Sequence, residues 1–140
     1  MTQGVQSRCK VQSLYESGCY FFAILRQVEV EHDIEFNDYD VLKLYKKAID
    51  RRYMREDCFI DDAVGLANLA AQPCLAMGVP DYSRIRTSDV QPSKDVYIIC
   101  FKKPMYTHFM LYDHGEMWDS LDPNRPGARG YSIDSYRILT

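Results

Sequence analysis

Apolar residues along the chain follow a helical period in the first half and an alternating one in the second. Phe21, Ile24, Leu25 and Val28 recur at intervals of three, four and seven, the signature of one buried helix face. Tyr20 and Phe22 thicken its start, and polar Glu31-His32-Asp33 marks where it should fade. A second helix is expected after Asn37, an N-cap with Asp38 and Asp40 in the first turn and with Phe36 and Val41 at the positions of a hydrophobic staple. Its inner face would carry Val41, Leu44, Tyr45, Ala48 and Ile49, and its lysines and arginines would form a solvated face. A third helix opens at Asp61 or Asp62, runs through Leu66, Ala67, Leu69 and Ala70, and should stop at Pro73. Residues 1–17 show no period beyond Gln12-Ser13-Leu14-Tyr15; they are read as irregular, and residues 1–11 as expendable for folding.

Beyond Pro80 the pattern turns to strands: Tyr82 to Arg86, Val96 to Phe101, Tyr106 to Tyr112, Met117 to Leu121 and Ser132 to Leu139. Asp113-His114-Gly115-Glu116 between two apolar runs marks a hairpin, with His114 at its tip and Trp118 in the core. Helices first and strands afterwards give an α+β class, N-terminal helices packed on a C-terminal antiparallel sheet, over residues 1–140 as one domain.

Composition narrows the function classes. With 17 basic and 20 acidic residues mixed along 140, the net charge is −3, which argues against nucleic acid or an anionic membrane surface as partner. No apolar run is long enough to insert into a membrane and no signal-like segment opens the chain, so a cytoplasmic protein is expected. Five cysteines, at 9, 19, 58, 74 and 100, are an odd and irregular set, read as reduced thiols rather than a disulfide framework. Neither they nor His32, His108 and His114 are spaced as metal ligands, so no metal and no cofactor are expected.

Candidate chemistry starts at Glu16-Ser17-Gly18-Cys19, where a small-residue turn gives way to the apolar helix. Unpartnered N–H groups and the positive end of the helix dipole favour an anion there, which suits a nucleophilic thiolate. A base is still needed, and His108 near the start of an apolar strand can serve. Which carboxylate orients it depends on the hairpin loop. A three-residue loop ending in a left-handed Gly115 puts Asp122, with Ser120, on the face of His108; a two-residue loop shifts the register by one and puts Asp119 there instead. Asp122 is the first choice and Asp119 the alternative.

The order Ser17-Gly18-Cys19 with Ala23-Ile24-Leu25, then His108-Phe109-Met110-Leu111, then Asp122-Pro123 with Arg125-Pro126-Gly127 resembles the papain-like cysteine peptidase superfamily, most of all its small bacterial branch that includes peptidases cleaving double-glycine leaders from bacteriocins. The resemblance implies the papain-like fold, a bacterial or phage source, and a peptide or amide substrate for a thiol hydrolase. It makes Cys19 the nucleophile, His108 the base and acid, and Asp122 the orienting residue of a catalytic triad. Two positions depart from the pattern. Tyr20 stands where a glycine usually follows the nucleophile, and the oxyanion-hole glutamine would be Gln12, seven residues before Cys19 rather than six. Acyl transfer, a peptidoglycan-directed amidase and an inactive binding module with Tyr20 crowding the groove are the other outcomes such a scaffold allows; oligomeric state is not legible.

Overall fold

A glycine sets the layout of the N-terminal half. In the computed structural model, which describes residues 1–75, 77–78 and 80–140, helix α1 (Gln12–Ser17) is cut from helix α2 (Cys19–His32) at Gly18 alone. The Gly18 N–H reaches the Leu14 carbonyl at 3.0 Å, so close that a Cβ there would lie 2.5 Å from the same oxygen; only glycine allows this approach. Helix α3 (Asp38–Asp50) starts on the expected cap: Asn37 Oδ1 accepts the Asp40 N–H and Asp40 Oδ2 accepts the Asn37 N–H. Helix α4 (Ala63–Leu75) runs two residues past Pro73, because a proline in the last turn deletes one backbone bond where fraying makes its loss cheap.

Strands β1 (Ile85–Ser88), β2 (Val96–Lys103), β3 (Tyr106–Asp113), β4 (Glu116–Trp118) and β5 (Ser132–Leu139) form a sheet in the order β1-β5-β2-β3-β4, with every neighbouring pair antiparallel. The class is thus α+β. Helix α2 lies on β3 and β2, and Phe21, Ile24, Leu25 and Val28 join Ile98, Leu111, Trp118 and Leu139 in the core. Tyr82 falls outside the first strand because the Asn68 side chain captures both its backbone groups, accepting from its N–H at 2.7 Å and donating to its carbonyl at 3.0 Å.

The N-terminal residues depart furthest from expectation. They are neither irregular nor loosely attached: a 3-10 turn spans Gln6–Arg8, α1 follows, and Val5, Gln6 and Leu14 are buried. Gly4 N–H donates to the Asp119 carbonyl (3.0 Å), Gln6 N–H to the Ser120 carbonyl (2.7 Å), and Asp122 N–H to Ser7 Oγ (2.8 Å). These bonds also explain why β4 stops at Trp118 instead of Leu121: beyond it the backbone pairs with the N-terminal segment. Deleting residues 1–8 is therefore expected to lower unfolding stability by roughly 2–4 kcal/mol, from the lost burial of Val5 and several hydrogen bonds. Urea titration measures it, and an unchanged midpoint would return this segment to the expendable class.

Candidate active site

Cys19 is the first residue of α2 and is partly exposed. α1 ends at Ser17, and the Phe22 N–H is the first of α2 to find a carbonyl one turn back, that of Gly18 at 2.9 Å; among the described residues the N–H groups of Cys19, Tyr20 and Phe21 make no such backbone bond. Tyr15, whose carbonyl a continuous helix would offer to the Cys19 N–H, instead accepts from Gln6 Nε2 at 3.2 Å. Gln6 is 1% exposed and its Oε1 accepts from Ser120 Oγ at 2.7 Å. One buried glutamine thus ties the turn before Cys19 to the segment after β4.

His108 sits on β3 opposite Phe101 of β2 and is 3% exposed. Its other flank is open to Asp119 because β4 has already ended. The hairpin loop has two residues: Asp113 pairs with Glu116 and Tyr112 with Met117, while His114 and Gly115 both have positive φ, 48° and 92°, as a type I′ turn requires. This register brings Asp119 to the histidine. His108 Nε2 and Asp119 Oδ1 are 2.7 Å apart and both side chains are buried, so Nδ1 is the ring nitrogen not bonded to Asp119.

Asp122, the first choice for the orienting acid, does not take that place. It is exposed, and its Oδ1 accepts the Asn124 N–H at 2.9 Å, the work of a turn residue before proline. Gln12 is exposed on α1 and donates to Glu16 one turn on, beside a surface hollow with Tyr45 and Lys46; its amide is spent away from Cys19. Tyr20 stacks on Phe109 with ring centroids 4.3 Å apart, so it packs on the sheet, and burial pushes its hydroxyl up to about 12.

Burial disfavours a charged His108, but the hydrogen bond to Asp119 and the nearness of Asp119 and Cys19 outweigh it and push the imidazole up to about 9. Burial equally opposes the Asp119 carboxylate. There the bonds from His108, the Leu121 N–H and Arg125 prevail and hold it below the ordinary carboxylate value. Arg125, which sequence reasoning gave no role in the site, places NH1 3.0 Å from Asp119 Oδ2. Behind the imidazole lies a cleft of about 430 Å³ walled by Phe101, Met110, Met117 and Tyr131 with Arg125 and Arg129. Cys58, Cys74 and Cys100 are buried, and desolvation pushes the Cys58 thiol up to about 11. Among the described residues, no group of three His, Cys, Asp or Glu could hold a metal ion, and no helix is long and apolar enough to cross a membrane.

A family model described as "Protein of unknown function, DUF261" matches residues 3–140. The chain belongs to the DUF261 family. The match takes in Gln6, Cys19, His108, Asp119 and Arg125 alike, so the whole site lies inside the DUF261 unit. No curated protein and no solved structure matches the chain.

Proposed function

We propose that this DUF261 protein is a cysteine-dependent hydrolase of peptide or amide bonds, built on a papain-like arrangement. The observation that carries the reading is the buried 2.7 Å bond between His108 Nε2 and Asp119 Oδ1, set beside a cysteine at a helix start. Cys19 Sγ attacks the carbonyl carbon while Nδ1 of His108 holds the thiol proton; the imidazolium then gives that proton to the leaving amine, and water releases the acyl group from sulfur. Asp119 fixes the ring orientation and stabilises the imidazolium. The N–H at the start of α2 is positioned to donate to the oxyanion. No side-chain donor beside it is assigned, since Gln12 is engaged with Glu16.

Brief iodoacetamide treatment at pH 6 to 7, where an ordinary thiol of pKa about 8.5 is mostly protonated, tests the reading. Mass-spectrometric mapping is expected to find Cys19 modified first, well ahead of Cys9, which is also partly exposed. Equal slow labelling of the two leaves a binding module, whose site holds a peptide without turning it over.

A further inference from the structure

We propose that Arg125 is a positioning residue of this site, clamping the outer oxygen of Asp119 so that the carboxylate stays ionised and keeps its inner oxygen on His108. The inference rests on the thiol-hydrolase reading and adds a fourth residue to the set Cys19, His108 and Asp119. The two oxygens of Asp119 have separate partners. Oδ1 takes His108 Nε2 at 2.7 Å and the Leu121 N–H at 2.9 Å, and Oδ2 takes Arg125 NH1 at 3.0 Å. The same NH1 donates to the Asp122 carbonyl at 2.9 Å, which fixes where the guanidinium stands.

Local sequence explains how the arginine arrives there. Asp122 caps the Asn124 N–H, Pro123 restricts the backbone, and the Arg125 N–H closes on the Asp122 carbonyl at 3.1 Å. The turn doubles back and returns the side chain to the residue three positions before it began. Asp122 thus serves the site indirectly, by shaping the turn that delivers Arg125. With side-chain exposures of 18% for Arg125 and 6% for Asp119, the pair is shielded enough for its charge to matter more than that of a surface pair.

The charged and titratable groups around the carboxylate are His108 from β3 and Arg125 from the turn, with Arg129 in the wall of the same cleft and Cys19 from α2 beyond the imidazole. Tyr131, before β5, lies with its ring centroid 5.8 Å from that of His108, and Lys103 of β2 sits over the tyrosine ring. Arg125 and His108 are the two cations in contact with Asp119. Removing Arg125 lets Asp119 take a proton at higher pH, so the imidazolium loses its partner sooner as pH falls. Mere loss of a positive charge also disfavours the Cys19 thiolate, but that through-space effect, unlike the clamp, persists when Asp119 is replaced by Asn.

The test is the pH profile of Cys19 alkylation by uncharged iodoacetamide in the full chain. Arg125→Ala is expected to move the acid limb up by about 1 pH unit, with Arg125→Lys in between, and Arg125→Ala is expected to change nothing further in an Asp119→Asn background. A limb that stays put or moves down, even with a lower melting temperature, or an upward shift of equal size in the Asp119→Asn background, overturns the proposal and leaves Arg125 a structural tie. If Arg125→Ala does not fold, Arg125→Gln, which keeps a donor and loses the charge, carries the same two outcomes. Failure of the underlying hydrolase reading is read separately, as wild-type Cys19 reactivity that does not depend on His108.

Discussion

His108→Ala is expected to slow alkylation of Cys19 at pH 6 on the order of 100-fold, because the thiolate loses the imidazolium that offsets its charge and keeps only the weaker pull of the start of α2. Asp119→Asn should come next, at roughly 10-fold, since the amide can still occupy the space but no longer stabilises a charged ring. Asp122→Ala should be mildest, within about 3-fold, acting only by loosening the turn around Asn124. Cys19→Ala removes the labelled site and with it all acyl-enzyme formation. Asp119→Ala is a poorer probe than Asp119→Asn, because deleting a buried carboxylate strands His108 and Arg125 and costs on the order of 3–5 kcal/mol of stability. Should Asp122→Ala prove more damaging to reactivity than Asp119→Asn, the orienting role assigned by the hairpin register is wrong. Should His108→Ala leave Cys19 unchanged, thiol and imidazole do not act together and the binding-module reading takes over.

That ranking reverses the order read from sequence, and the reason is a single residue of loop length. Asp113-His114-Gly115-Glu116 is compatible with a three-residue loop, where only Gly115 is left-handed, and with a two-residue loop, where His114 must also take positive φ. Histidine is a less usual occupant of that position than asparagine or glycine, so the sequence leans toward the longer loop. The fold chooses the shorter one, since its register puts Trp118 opposite Leu111 in the core. Because side chains alternate along a strand, this choice exchanges Asp122 for Asp119. The helices α2 and α3 were legible because each carries several apolar residues at one period or a complete capping box. Helix α1 was not, being six residues with one fully buried side chain, Leu14. Gln6 and Arg125 left no local signal either. The Gln6 bond to Ser120 spans 114 positions, and an arginine in a polar turn is indistinguishable from a solvated one until the turn's path is known.

Stability should also report on the site through pH. His108 rises from 6.5 to about 9 on folding, so the folded chain holds that proton more tightly than the unfolded chain does. Its contribution is complete below pH 6.5 and is lost as pH climbs through 9; the rise corresponds to roughly 3 kcal/mol at most, at 1.36 kcal/mol for each unit. Asp119 moves the opposite way, below 3.8, so its contribution is present above the ordinary carboxylate value and disappears as pH falls through its folded one. Taken by themselves, these two contributions are together largest between about pH 4.5 and 6.5 and decline toward pH 9; a Cys19 thiolate paired with the imidazolium opposes that decline, so melting temperatures are compared in a Cys19→Ala background. One substitution isolates the share of His108. His108→Gln keeps an amide facing Asp119 but carries no proton that titrates in this window, so its melting temperature should be lower at pH 6 and fall less steeply from there to pH 9. Exposed His114, raised by its bond to Asp113, contributes to both proteins and cancels in the difference. Curves for Cys19→Ala with and without His108→Gln that run parallel across this range would mean that Asp119 does not hold the His108 proton as the site requires, and the imidazolium could not then serve as the acid for a departing amine.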